Sequence, residues 1–228
     1  MNAIELIEQV GPTIWPLLLL STLTLGTIFE RLWFWSNLLR GERKTASQII
    51  EAARRDWDEA THLARQFSNQ PIGRFLFTPL RLANQEPEIF RLALEASADE
   101  ELSAMRRGSK ILETAITLAP LLGLFGTILG LQQALGNLDF DNIGQIVGNP
   151  SLGIGQALTS TLVGLAIAIT ALAFYRLFQG LLFNQARIFR RTGNELELVY
   201  RQFWLQHQLA DSQPVLTPPS DAPDLPGY

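Results

Sequence analysis

Three long uncharged runs dominate the pattern of hydrophobic and polar positions along the chain. They cover about residues 14–29, 114–135 and 154–175. A helix rises ~1.5 Å per residue, so about 20 apolar residues cross the ~30 Å hydrocarbon layer of a bilayer. The pattern therefore predicts an all-α integral membrane protein with three transmembrane helices.

The third run has two different faces when it is drawn as a helix. Its small residues share one sector, and its leucines and isoleucines fill the opposite one. Gln156, Thr159 and Thr170 lie beside the small residues, where a polar group in hydrocarbon is costly unless it is paired. We therefore expect the small face to pack against another helix and to carry the function. The small sector consists of Gly153, Ala157, Ser160, Thr161, Gly164, Ala168 and Ala171.

The second run carries a matching stripe of small residues. Thr127 lies at the edge of this stripe, and Gly126 and Gly130 form a GxxxG pair. Since two small faces permit close backbone approach, we expect the second and third spans to pack on each other. Pro120 removes one backbone donor and is expected to kink the helix slightly. The stripe consists of Ala115, Ala119, Gly123, Gly126, Gly130 and Ala134.

The distribution of charge predicts how the chain crosses the membrane. Of the 18 lysines and arginines, 13 lie between Arg31 and Lys110 and five between Arg176 and Arg201. By the positive-inside rule both basic segments are cytoplasmic, so the N-terminus is periplasmic and the C-terminus cytoplasmic. Glu30 and Arg31 are then expected to form a charge pair at the cytoplasmic rim of the first span. The chain is thus expected to cross a membrane three times.

The same reasoning divides the chain into eight segments. A cytoplasmic helical region separates the first two spans, and a cytoplasmic helix continues the third span before a proline-rich tail that we expect to be disordered. The segments are a periplasmic N-terminus (1–13), the first span (14–35), the cytoplasmic region (36–111), the second span (112–135), a periplasmic loop (136–153), the third span (154–176), its cytoplasmic continuation (177–209) and the tail (210–228).

Proline and glycine positions predict the helices outside the membrane. The cytoplasmic region is expected to form helices at about 45–67, 72–84 and 88–110. Between Pro87 and Pro120 the only residue that could break the last of these helices is Gly108. We therefore expect this helix to continue into the second span. After Pro150 the next proline is Pro214, which permits one long helix from about residue 155 to 209.

The residue inventory excludes several classes of function. The chain has no cysteine and only two histidines, far apart in the sequence, which argues against disulfides, a metal site or a bound cofactor. Asp139 and Asp141 are better explained as solvated charges in a loop than as a cation site. No phosphate-binding glycine loop or nucleophile–base pair suggests an enzyme, and no basic, aromatic-rich patch suggests a nucleic-acid partner.

Two sequence runs resemble a known family. LAPLLGLFGTILGL at 118–131 and GIGQALTSTLVGLAIAITALAFY at 153–175 are similar to the MotA/TolQ/ExbB proton channels, and most similar to ExbB and TolQ. ERLWFW after the first span is also similar. The resemblance implies a multi-pass protein of a bacterial inner membrane that forms a homopentameric ring, in which the second and third spans line a pore. An ExbD- or TolR-like partner contributes single spans whose membrane aspartate carries the proton, and the flow drives a TonB- or TolA-like protein.

Carried over by position, the resemblance assigns three residues to the ion pathway. The pore threonines of the two spans fall on Thr127 and Thr161, and the glutamate of the usual GIAEAL falls on Gln156, within GIGQAL. Glutamine does not exchange a proton. Either this chain has lost an essential relay, or the partner aspartate is the only carrier and the pore supplies hydroxyls, amides and water. Flagellar stators, with threonines and no matching glutamate, resemble the second case, which we prefer.

The leading hypothesis is therefore an ExbB-like subunit of a proton-driven motor that energises TonB-dependent outer-membrane transport. Three alternatives remain open: TolQ-like envelope maintenance, an ion-driven stator of the flagellar or gliding type that uses Na⁺, and a non-conducting scaffold. The transported cargo, the ion and the number of subunits do not follow from these residues alone.

Overall fold

The computed structural model describes residues 13–38, 41–82, 85–136 and 150–211. Within these ranges the secondary structure is helical, and no strand occurs. Three of the helices are long and apolar enough to cross a membrane, which confirms the predicted all-α class with three transmembrane helices. The elements are α1 (Ile14–Leu38), α2 (Glu42–Arg55), α3 (Trp57–Gln66), α4 (Pro71–Leu80), α5 (Pro87–Met105), α6 (Ser109–Gly136) and α7 (Pro150–Asp211).

The predicted helix at 45–67 is wrong, because the chain forms two helices there. Helix α2 ends at Arg55, and α3 begins at Trp57. Asp56 between them has an extended backbone, and its side chain accepts a hydrogen bond from the N–H of Asp58. An aspartate in this conformation starts a new helix by capping it, which competes with continuing the old one.

The predicted continuation of the 88–110 helix into the second span is also wrong. Helix α5 ends at Met105, and α6 starts again at Ser109. Gly108 in the intervening turn has φ 79°, a left-handed conformation that glycine adopts without steric cost and that ends many helices.

The prediction of one long helix after Pro150 is confirmed. Helix α7 contains 62 residues, which at ~1.5 Å per residue is about 93 Å. It starts at Pro150, so the last four residues of the predicted 136–153 loop are helical; proline suits this first position because its missing N–H would have no helical acceptor. Gly136, the first residue of that predicted loop, is helical too. Residues 137–149 of the loop, residues 1–12 of the predicted N-terminal segment and residues 212–228 of the tail lie outside the described residues.

The chain divides into two compact units. The span unit is built from residues 1–43 and 98–188, and the aromatic unit from residues 44–97 and 189–228. In the span unit, Ile14 and Leu17 of α1 are buried against Leu122 of α6 and against Val163 and Ile167 of α7. The start of α1 therefore packs on both of the other candidate spans.

The aromatic unit has a core of stacked rings. Phe75 and Phe189 are parallel with centroids 4.7 Å apart, and Phe90 and Tyr200 are stacked at 4.0 Å. The indole N–H of Trp57 donates to a backbone carbonyl at 2.9 Å, so its polar atom is satisfied inside the core. Residues from two distant parts of the chain thus complete one apolar core.

Candidate functional site

The small residues of α6 and α7 face each other in the structure. On α6 the fully buried positions include Ala115 and Ala119, and on α7 they include Ser160 and Ala171. The leucines and isoleucines on the opposite side of α7 are exposed, as hydrocarbon-facing side chains would be. The other buried small residues of the α6 and α7 stripes are Gly123, Gly126, Gly130, Ala134, Ala157, Gly164 and Ala168.

Glycine is required where the two backbones are closest. A β-carbon on Gly164 would lie 2.5 Å from the carbonyl oxygen of Ala119, and one on Gly130 would lie 2.8 Å from that of Gly153. A β-carbon on Gly126 would overlap the side chain of Ser160. Since such distances are shorter than van der Waals contact, larger residues would force the helices apart.

Two hydroxyls of α7 reach the carbonyl of Gly123 on α6. The Thr161 hydroxyl donates to this oxygen at 3.2 Å. The Ser160 hydroxyl lies 3.1 Å from the same oxygen and 2.8 Å from the carbonyl of Ala157, and its single proton serves one acceptor at a time. Ser160 is fully buried and Thr161 half-buried, so only Thr161 combines an interhelical bond with partial access.

Thr127 has a different environment from Thr161. Its hydroxyl donates to the carbonyl of Leu124 in its own helix at 2.5 Å, and the residue is half-buried, one turn beyond Gly123. The Thr161 hydroxyl therefore forms a hydrogen bond between α7 and α6, whereas the Thr127 hydroxyl bonds within its own helix. Pro120 lies inside α6, which continues through it, and Gln156 belongs to the second turn of α7, one turn before Ser160.

The described spans offer no charged group at this contact. Between Thr114 and Tyr175 the only carboxylates are Asp139 and Asp141, which lie outside the described residues. In the ranges that the structure covers, no group of three or more His, Asp or Glu side chains is arranged to hold a metal. The chemistry available at this contact is that of hydroxyls and backbone carbonyls, groups that stabilise a charge or a water molecule and do not ionise near neutral pH.

Comparison with known proteins identifies the family. The sequence profile of the MotA/TolQ/ExbB proton channel family matches residues 67–191, more than half of the chain. The chain belongs to the MotA/TolQ/ExbB proton channel family. It is a multi-pass membrane protein similar to the biopolymer transport protein ExbB-like 1 of Synechocystis sp., with 46% identity over 201 residues, 87% of this chain and 79% of that protein.

Two further members of the family match most of the chain. ExbB-like 3 of Synechocystis sp. is 35% identical over 193 residues, 82% of this chain and 90% of that protein. The biopolymer transport protein ExbB of Salmonella typhimurium is 26% identical over 176 residues, 71% of this chain and 69% of its own length. The profile match includes the whole contact between α6 and α7 and leaves out α1.

The structure also shows polar contacts that the sequence analysis missed. Ser160 entered only as a packing residue, although a hydroxyl in a small stripe facing a glycine is a signal for an interhelical hydrogen bond. The expected pair of Glu30 and Arg31 forms at 3.4 Å, but Arg31 is buried while Glu30 is exposed. The side chains of Gln185 and Glu42 are both buried and form a hydrogen bond of 2.5 Å, which no local pattern indicates.

Proposed function

We propose that this chain is an ExbB- or TolQ-like subunit of a proton-driven motor in a bacterial inner membrane. Five copies form a ring around the single spans of an ExbD- or TolR-like partner, with α6 and α7 lining the pore. Proton flow through this pore energises a TonB-like protein, and thereby TonB-dependent transport at the outer membrane. The N-terminus is periplasmic and the C-terminus cytoplasmic.

Family membership and the contact between α6 and α7 support this proposal. The observation that carries it is the Thr161 hydroxyl, which lies in the family's matched region, is half-buried and bonds to Gly123 across two closely packed spans. Polar groups inside a membrane are rare because they are costly, so one placed at a helix contact is a functional candidate.

In this proposal the proton is carried by the partner and not by this chain. The pore residues Thr127, Gln156 and Thr161 supply hydroxyl and amide groups that orient water and stabilise the partner aspartate in both of its protonation states. Because none of the three titrates near neutral pH, this chain shapes the pathway without exchanging protons itself.

The first test is proton flux into proteoliposomes that contain this chain and its small partner. We expect flux with the wild-type partner and none when its membrane aspartate is changed to asparagine. Replacing Na⁺ in the medium at constant membrane potential identifies the ion. Absence of flux from an intact wild-type complex would contradict the proposed conduction.

The role of Thr161 is tested by Thr161→Val in the same assay. Valine has nearly the same shape and no hydroxyl, so we expect flux to fall strongly while the complex still assembles. Thr170→Val is the matched control, since the exposed Thr170 hydroxyl donates to Ala166 in its own helix at 2.9 Å. Ser160→Ala removes the other hydroxyl at Gly123. Equal effects of Thr161→Val and Ser160→Ala would assign both hydroxyls to helix packing and overturn the pore role of Thr161.

A non-conducting scaffold is the second candidate, and Gln156 is the observation that favours it. If the glutamate of ExbB and TolQ is an essential relay, a chain with glutamine there assembles and does not conduct by that route. The two candidates differ in their response to Gln156→Glu, which restores the acid.

A further inference from the structure

The junction between α5 and α6 is a turn within a segment that the sequence predicts as one helix. In an uninterrupted helix the N–H of Ser109 would donate to the carbonyl of Met105. Here it donates to the carbonyl of Arg106 at 3.1 Å. The carbonyl of Met105, at the end of α5, therefore loses the donor that a following helical turn would supply.

Arg31 of α1 supplies a donor in its place. One terminal nitrogen of its guanidinium donates to the Met105 carbonyl at 3.3 Å, although the two residues are 74 positions apart. Arg31 is only 7% exposed. Its Nε lies so close to Gly108 that a β-carbon there would be 2.8 Å away. The turn fits against Arg31 because residue 108 has no side chain.

The charge of Arg31 distinguishes this contact from ordinary packing. Burying a guanidinium, which stays protonated, is costly unless the charge is compensated. The compensation comes from the negative C-terminal end of α5 and from the ring of Phe34, whose centroid is 5.4 Å away. Glu30 lies 3.4 Å away but is exposed, so water screens its contribution. Nε has no hydrogen-bond partner in the part of the chain that the structure describes. A methionine would fill similar space without this cost, so the distinctive contribution of Arg31 is its donor and its charge.

We propose that Arg31 is a positioning residue that keeps α5 and α6 apart as two helices and so fixes how α6 enters the membrane. Helix α6 carries Thr127 and the Gly123 carbonyl, so its direction determines where these groups lie. The effect on ion flux rests on the proposed function, whereas the effect on the turn does not.

Spin labels on either side of the turn test this proposal directly. The chain contains no cysteine, so cysteines placed at Glu100 and Leu121, both exposed, can be labelled selectively in the full-length chain. Labelled subunits are diluted with unlabelled ones, so that only distances within one subunit are measured. Were α5 and α6 one helix, the two sites would be about 31 Å apart. We expect a single narrow distance distribution in the wild type and, in Arg31→Met, a broader one that extends towards the distance of a continuous helix.

Three further variants separate positioning from general damage. Arg31→Lys retains a charged donor and is expected to restore the narrow distribution. Glu30→Gln removes the exposed partner of Arg31 and is expected to change little. Gly108→Ala disfavours the left-handed turn and brings a methyl group against Arg31, so it is expected to shift the distance as Arg31→Met does. If Arg31→Met fails to assemble, Arg31→Leu, which also lacks the donor and the charge, takes its place.

Proton flux in the same variants links the turn to the pathway. Arg31→Met and Gly108→Ala are expected to lose most of the flux, while Arg31→Lys and Glu30→Gln keep it. An unchanged distance distribution in an assembled variant that lacks the Arg31 guanidinium would overturn the proposal, whatever Gly108→Ala shows. Because that measurement needs no conduction, failure of the positioning role is distinguishable from failure of the proposed channel function.

Discussion

At the scale of single residues, Gln156 separates the two candidate functions. The family resemblance predicts that it takes the place of the glutamate of ExbB and TolQ, and it lies one turn before the Ser160 and Thr161 pair that reaches Gly123. Glutamine and protonated glutamic acid have nearly the same shape, but only the acid can release a proton. A change between them therefore alters proton exchange with little change in packing.

Our prediction for Gln156→Glu follows from a proton carried by the partner. Flux through the complex should stay close to that of the wild type, because the new acid is not needed in the pathway. Gln132→Glu is a matched control, since Gln132 is exposed on α6 and outside the contact. A large gain in flux for Gln156→Glu alone, from a wild type that conducts little, would instead support the scaffold with a lost relay.

The two candidate threonines show how far residue chemistry could be predicted from the sequence. The patterns of the spans and the family resemblance selected Thr127 and Thr161 equally, and a hydroxyl in a helix can bond to its own backbone or to a neighbour. The structure distinguishes them, since Thr127 bonds to Leu124 and Thr161 to Gly123. That difference depends on how the helices are packed, which a one-dimensional pattern does not contain. The pore roles of both residues stay predictions.

At the scale of helices, glycines that contact a neighbour differ from glycines that do not. A β-carbon on Gly164 would meet the Ala119 carbonyl at 2.5 Å, whereas one on Gly180, in the same helix, would meet nothing within 4 Å. The same substitution thus has opposite consequences along α7.

We predict that Gly164→Ala destabilises the subunit and Gly180→Ala does not. The added methyl at residue 164 must push α6 and α7 apart, and such overpacking typically costs about 1–3 kcal/mol. At residue 180 alanine improves helix propensity by up to ~1 kcal/mol. Thermal unfolding in detergent, followed by the loss of monodisperse protein, would measure both. Equal melting temperatures for the two variants would contradict the close contact.

The helices that the sequence located correctly are those set by local signals. Uncharged runs identify α1, α6 and α7, and the absence of proline between Pro150 and Pro214 indicates the length of α7. The missed break before α6 involves a contact between Arg31 and Met105, which are far apart in the sequence. The missed break at Asp56 had a local signal, a capping aspartate, but the polar periodicity around it continues without interruption.

At the scale of the whole molecule, the aromatic unit limits the possible topologies. Two distant parts of the chain share one core in this unit, for example through Phe75 and Phe189. Two segments that form one core outside the membrane must lie on the same side of it. The chain between them therefore crosses the membrane an even number of times. Helices α6 and α7 provide two crossings, in agreement with the charge distribution.

Single cysteines should report this topology. We predict that Glu51→Cys and Asn194→Cys, both at exposed positions of the aromatic unit, react with a membrane-impermeant maleimide in inverted vesicles and not in intact spheroplasts. Asn142→Cys, in the predicted periplasmic loop, should react in spheroplasts. Labelling of either aromatic-unit site from outside would contradict the proposed cytoplasmic position of these segments.

The divided origin of the aromatic core also has a consequence for biosynthesis. Trp57, Phe75 and Phe90 leave the ribosome well before Phe189 and Tyr200, the rings that stack on two of them. Until both later spans have been inserted, these early side chains lack their partners and remain available to chaperones or proteases. If α6 and α7 insert wrongly, these aromatic side chains stay uncovered. Quality control in the cell would then recognise an error of membrane insertion by a defect outside the membrane.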